Sequence, residues 1–210
     1  MNHNKILILA PHTDDGELGC GAAISKYLKM GKEVFYAAFS ICEESVPDGF
    51  PKDILEKEVK EATAALGIPK ENLIIYKFKV RRFPEFRQPI LEEMVKLRKK
   101  LQPDLVFMPS SFDIHQDHHT IFEEGRRAFK NTSLLGYEFM WNTFNFNSSC
   151  TIVVDNEDVN KKIEALAKYK SQQQRFYASE KLINGLANFR GLQISEEFAE
   201  SFEIIRWIIK

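Results

Sequence analysis

The chain has 210 residues, 44% of them hydrophobic, with 29 lysines and arginines against 30 aspartates and glutamates for a formal net charge of −1. That length and apolar content suffice for one substantial core, so a single domain over 1–210 is the expectation. The charge balance creates no global field toward nucleic acid or an anionic membrane, which excludes nucleic acid as a bulk electrostatic partner and leaves partner choice to a local site.

The N-terminal MNHNKILILAPH contains an apolar run of five residues, too short for a signal-peptide core. No later stretch approaches the roughly 20 apolar residues of a membrane span, so a cytoplasmic protein without an integral membrane segment is expected. KILILA itself reads as a strand buried on both faces, followed by a glycine-punctuated turn and a helix, GAAISKYLKMG, closed by Gly31. EVFYAAFS is the second strand, and its helix DILEKEVKEATAALG ends at Gly67. NLIIYKF is the third strand, QPILEEMVKLRKKL a helix with Pro89 in its first turn, and DLVFMPS the fourth strand. HQDHHTIFEEGRRAFK continues as a helix. Residues 132–149, TSLLGYEFMWNTFNFNSS, blur the alternation and read as a loop with an extension strand. CTIVVD is a further strand and NKKIEALAKYKSQQQRFY a long helix. In SEEFAESFEIIRWIIK the residues Phe198, Phe202, Ile205 and Ile209 follow helical spacing, which predicts a final packing helix. Alternating strands and helices with short loops predict an α/β fold, a mostly parallel sheet with helices on both faces.

In such sheets ligands bind beyond the carboxyl ends of the strands, where the winding reverses; for strand order 3-2-1-4 that crevice lies between strands 1 and 4. The segments that follow those strands are PHTDDGELGCG and SFDIHQDHH, and they hold four of the five histidines: His12, His115, His118 and His119. A dinucleotide site is a poor match. The glycine spacing would need a small residue at Ile24, and Asp14 and Asp15 would repel a pyrophosphate. The glycines instead allow a sharp turn under the acidic loop and a close seat for the first helix.

A hydrolytic metal site wants three imidazole or carboxylate ligands and an open position for water. His12, one of Asp14 and Asp15, and one histidine of HQDHH supply such a set, leaving the other aspartate beside the water as a base. Cys20, Cys42 and Cys150 lie too far apart for a C-x-x-C motif, so neither a disulfide framework nor a thiolate site is indicated.

PHTDDGELGCG together with DIHQDHH resembles the LmbE-like, or PIG-L, family of zinc-dependent N-deacetylases. KKIEALAKYKSQ and FRGLQISEEFAESF are similar to the late motifs of that family, so the likeness runs over nearly the whole chain. The resemblance implies a Rossmann-like three-layer sandwich, a divalent metal (Zn2+, with Fe2+ or another divalent ion as the variant), and hydrolysis of the acetamide of an N-acetylated amino sugar or its conjugate. It implies metal ligation by His12, Asp15 and His118 and general-base duty for Asp14. It further implies His115 as the group that stabilises the oxyanion or protonates the departing amine, with Asp117 orienting it. Thr13 departs from the proline usual at that position, which touches no ligand. His119 matches no role and reads as a first-turn helix residue.

Sugar contacts are sought in two further places. FKVRRFPEFRQP crowds Arg81, Arg82 and Arg87 into a loop after strand 3, which suits a phosphate- or nucleotide-linked sugar. LGYEFMWNTFNF offers Tyr137, Glu138, Trp141 and Asn142, aromatic faces beside hydrogen-bonding groups, and Ser171, Gln172, Arg175 and Arg190 are placed to close the site from the C-terminal half. Two alternatives stay open: a mononuclear non-haem iron oxygenase, because two histidines and a carboxylate also make a facial triad, and a non-catalytic carbohydrate-binding protein of the same fold. The sequence neither requires nor excludes a homo-oligomer.

Overall fold

The computed structural model describes residues 3–209. Among them are seven strands in one sheet: β1 (Lys5–Ala10), β2 (Glu33–Ala38), β3 (Leu73–Ile75), β4 (Leu105–Pro109), β5 (Ser133–Tyr137), β6 (Cys150–Val154) and β7 (Phe198–Arg206). The order is β3-β2-β1-β4-β5-β7-β6. The first five in that order run parallel, and β7 joins β5 and β6 antiparallel. The helices are α1 (Asp15–Lys29), α2 (Ile54–Leu66), α3 (Arg87–Leu101), α4 (Gln116–Ala128), α5 (Asn156–Leu166) and α6 (Glu180–Leu192). The α/β, mostly parallel, three-layer reading therefore holds.

Alternation along β1 explains the two layers. Ile6 and Ile8 face a core shared with α1, α2, α5 and α6, through residues such as Val59, Ala165 and Ile183. Leu7 and Leu9 face a second core with α3 and α4, through Ile90, Met94 and Ile121. A strand buried on both sides has no polar face, which is why ILILA, after the exposed Lys5, is uniformly apolar. Because β1 and β4 are neighbours, the loops after Ala10 and Pro109 open onto the same edge.

Three elements differ from expectation. The last segment is a strand, not a helix. Phe198 to Glu203 are all buried, and the polar Glu200, Ser201 and Glu203 within that run break the apolar pattern that would mark an inner strand. The helix predicted from residue 160 stops at Leu166 and gives way to short 3-10 turns, Lys170–Gln172 and Phe176–Ala178, while α6 fills the gap. The first helix starts at Asp15, six residues before the predicted Gly21. Gly16 and Gly19 therefore lie inside it, where a Cβ would strike the rings of Tyr36 and Tyr137. Close approach, rather than a turn, is their use.

Helix α1 is kinked at Cys20 (φ −150°, ψ 26°). An ion pair sits at the break: Lys162 Nζ donates to Leu18 O at 2.7 Å and to Glu200 Oε1 at 2.7 Å, and Glu200 accepts from the amides of Ala22 and Ala23 at 3.3 and 2.7 Å. Ala22 N–H and Leu18 C=O would be partners in an unbroken helix, so the two side chains replace the interrupted backbone bonding. Both are buried, and removing one would strand the other's charge and the helix groups it serves. Lys162→Ala is expected to lower unfolding free energy by about 3–5 kcal/mol in a urea titration, and a loss below about 1 kcal/mol would show that the pair does not hold the kink.

Candidate metal centre and cleft

The loop from Pro11 to Asp14 leaves β1 and enters α1 with Asp14 at the N-cap. The Asp14 side chain makes no capping hydrogen bond, although capping is what an aspartate there ordinarily does. It lines a cleft instead. Asp15, in the first turn, folds back so that Oδ2 accepts from the His12 amide at 2.7 Å. From the other side, His115 caps α4 and His118 stands one turn along it, pointing back at the same spot.

Three atoms converge. His12 Nδ1 is 3.1 Å from Asp15 Oδ2, His118 Nε2 is 3.2 Å from the same oxygen, and the two nitrogens are 3.3 Å apart. Donors bound tetrahedrally at about 2.0–2.1 Å are separated by roughly 3.3–3.4 Å, so this triangle matches three corners around a zinc-sized divalent ion. The outer ring nitrogens support the same reading: His12 Nε2 lies 3.0 Å from Asp117 Oδ2, and His118 Nδ1 lies 2.7 Å from Asp113 Oδ2. A carboxylate on the far nitrogen places the proton there and leaves the inward nitrogen as a lone-pair donor, the usual support of a metal-binding imidazole. His115 belongs to a looser set. Its ligand atom and those of His12 and His118 lie within 4.8 Å of one another, but its Nδ1 already accepts from the Asp117 amide at 3.2 Å. The triangle with Asp15 is the tighter of the two sets that could hold an ion.

Electrostatics follow from this crowding. In the metal-free chain burial opposes charge on both inner imidazoles, yet Asp15 with Asp117 raises His12 to about 9, and Asp15 with Asp113 raises His118 to about 10. Burial works against the Asp15 carboxylate too, but His118 and His12 hold it well below the usual carboxylate range. Burial, reinforced by Asp15, raises Asp14. His115 falls to about 4 through burial and its two imidazole neighbours. A buried network anchors the loop from below. The hydroxyls of Tyr36 and Tyr169 each reach both Thr13 O and the Glu17 carboxyl, whose pKa burial pushes up to about 8. Two hydroxyl protons cannot fill four such contacts, and a protonated Glu17 supplies a third.

The cleft encloses about 270 Å³. Arg81, Trp141, Asn142, Gln172 and Arg175, all sought there from sequence, line it together with Tyr177. Other expected sugar contacts lie elsewhere. Tyr137 is fully buried and donates to Leu9 O at 2.9 Å, so it is core. Arg82 pairs with Glu85 at 2.7 Å, and Arg87 reaches across to the buried Glu124 at 2.6 Å. Glu138 and Arg190 pair with each other on a smaller apolar pocket of about 40 Å³ that shares Leu18, Trp141 and Tyr177 with the cleft. Asp117 sits on His12, not on the far nitrogen of His115, because its carboxylate is aimed by the amides of Arg81 (2.5 Å) and Phe83 (3.1 Å). His119 is an exposed residue of α4. Asp113 opens the DIHQDHH stretch but had no assigned role from sequence, because only the fold brings its carboxylate onto the ring of His118, five residues later across a helix start.

A family model described as GlcNAc-PI de-N-acetylase (PIG-L) matches residues 7–129. The chain belongs to this family. The matched span covers both histidine-bearing loops, after β1 and after β4. Among solved structures, the PIG-L chain is similar to the conserved protein TT1542 from Thermus thermophilus (23% identity, 99% of this chain and 97% of that one, TM-score 0.81). It is also similar to N,N'-diacetylchitobiose deacetylase from Pyrococcus horikoshii (21%, 97% and 84%, 0.80). A third is GalB, the 4-carboxy-2-hydroxymuconate hydratase from Pseudomonas putida (15%, 99% and 98%, 0.77). At these identities the likeness establishes the fold, and that fold carries more than one reaction.

If the triangle binds metal, His118→Ala or Asp15→Ala abolishes uptake of one divalent ion per chain, read by elemental analysis after dialysis. Asp113→Ala keeps all three donors but loses the carboxylate that aims His118, so zinc affinity falls about 10- to 100-fold. Full zinc occupancy in His118→Ala would overturn the ligand set.

Proposed function

We propose that this PIG-L chain is a metal-dependent hydrolase that removes the acetyl group from an N-acetylated amino sugar or its conjugate, with zinc the expected ion. The observation that carries the reading is the 3.1–3.3 Å triangle of His12, Asp15 and His118, with Asp14 and His115 facing the same cleft. An ion held there supplies Lewis-acid activation of water and of the amide carbonyl. Asp14, free of any capping bond, is placed to take the proton of the attacking water. His115 keeps Nδ1 on the Asp117 amide, which leaves its Nε2–H to donate to the charge that develops on the acyl oxygen, while the proton taken up by Asp14 is the one passed to the amine as the C–N bond breaks. Water adds to the acyl carbon, the amine leaves with a proton, and acetate is the second product. Trp141 and Asn142 offer an apolar ring face and an amide to the sugar.

Hydration, the reaction named for GalB, also needs a positioned water and a base. The family match, and a neutral imidazole N–H on the same cleft as Asp14 to meet an oxyanion, favour amide hydrolysis. Zinc-loaded protein is expected to release amine from a panel of N-acetylglucosamine glycosides. Asp14→Asn should retain metal while kcat falls about 10²- to 10⁴-fold, since the amide cannot accept the proton, and His115→Ala should behave likewise. Loss of metal from Asp14→Asn equal to that from Asp15→Ala would refute this division of roles, and absence of amine release from every glycoside would refute the deacetylase reading.

A further inference from the structure

Most arginines of this chain are engaged. Arg82, Arg87, Arg126, Arg127 and Arg190 each form an ion pair with a glutamate. The two that line the metal cleft, Arg81 and Arg175, form none among the described residues. Arg81 Nη2 donates to Glu44 O at 3.2 Å and Ser45 Oγ at 3.0 Å, both neutral acceptors. Arg175 donates to the Tyr177 hydroxyl and sits 5.7 Å from that ring's centre. Tyr177 in turn stacks on Trp141, with centroids 4.0 Å apart and planes at 17°.

Both guanidiniums are also held in place. Arg81 is one of few non-glycine residues in the left-handed region (φ 66°), and its amide donates to the same Asp117 carboxylate that orients His12. A strained backbone bonded to a metal-site carboxylate fixes where that side chain leaves the loop. Arg175 is fixed by the aromatic wall. Asp14 shares the cleft and its charge acts on Arg175, but no carboxylate comes within ion-pair distance of either guanidinium among the described residues, so their paired N–H donors stay open to a ligand, and their geometry suits carboxylate or phosphate oxygens.

We propose that Arg81 and Arg175 form an anion subsite of the cleft, so that the natural substrate carries a carboxylate or phosphate on the sugar or its aglycone in addition to the acetamide. The substrate statement rests on the deacetylase reading; the subsite itself does not. It replaces the arginine set suggested by sequence, since Arg82 and Arg87 are committed to glutamates.

The test uses zinc-loaded protein and three matched N-acetylglucosamine glycosides, one neutral, one with a carboxylate and one with a phosphate. In parallel, calorimetry measures binding of the corresponding deacetylated amines to metal-free protein, a readout that needs no turnover. The anionic-to-neutral ratio of kcat/KM should exceed about ten, should shrink as salt is added, and should fall about ten- to a hundred-fold in Arg175→Ala and in Arg81→Ala. Arg175→Lys recovers part of it, whereas Arg82→Ala keeps the wild-type ratio. The more favoured of the two anions identifies the group. A wild-type ratio near one, or an equal drop in Arg82→Ala, overturns the proposal. So does relief of acetate inhibition by the arginine variants with the ratio unchanged, because the pair would then serve the departing acetate. If no glycoside is hydrolysed but the amines show an arginine-dependent preference for the anion, the deacetylase reading fails and the subsite stands.

Discussion

Three electron-rich atoms within 3.3 Å of one another repel unless protons or a cation lie between them, and the architecture around the cleft is arranged to hold them there. Each imidazole is gripped from behind by a carboxylate, and each carboxylate is gripped by backbone. Asp117 accepts from the amides of Arg81 and Phe83, and Asp113 from that of His115. Loops from three places in the chain are thereby fastened to one point. Such fastening works only because β1 and β4 are adjacent and parallel, which brings their carboxyl ends to the same edge.

The same requirement explains the cost accepted in α1. Its first turn carries Asp15, which meets both imidazoles of the cleft, and must lie against the sheet, so Gly16 and Gly19 make room for two tyrosine rings. The helix then bends at Cys20, and a buried lysine and glutamate complete its bonding. Beneath the loop, Tyr36 from β2 and Tyr169 from the turn after α5 converge on the carbonyl of Thr13. Two hydroxyls thus secure the loop backbone at Thr13. Polar groups buried at this density are tolerated because nearly every one has a partner.

Much of this was legible beforehand, for identifiable reasons. Apolar runs bounded by glycine marked β1, β2 and β4, and the parallel winding rule alone brought His12 and His118 to one crevice. What sequence missed was governed by tertiary partners. Strand β7 hides because Glu200 and Glu203 are buried; their partners are Lys162 and the amides of α1 for one, Ser111 for the other, none of which is near in sequence. Asp113 escaped notice because its value lies in reaching across a helix start to His118. Tyr137 was misread as a sugar contact since an aromatic on a rim and one under a helix glycine look alike in one dimension. Charge density misled in a similar way at Arg82 and Arg87, whose partners are Glu85 nearby and Glu124 on the next helix.

A fold shared between a deacetylase and a hydratase cannot itself select substrate, so selection must lie in what surrounds the two histidine-bearing loops. Here those surroundings are joined to the histidine cluster. Asp117 bonds His12 with the oxygen that also accepts the Arg81 amide, so displacing the Arg81 loop would loosen an imidazole. On the opposite wall Arg175 leans on Tyr177, Tyr177 on Trp141, and Trp141 packs against Phe139, which contacts the His118 ring at 5.1 Å between centroids. Both arginines are therefore connected through one or a few contacts to His12 or His118. Recognition built this way resists drift, because a substitution that repositions either guanidinium also disturbs the group that must aim the reacting atoms.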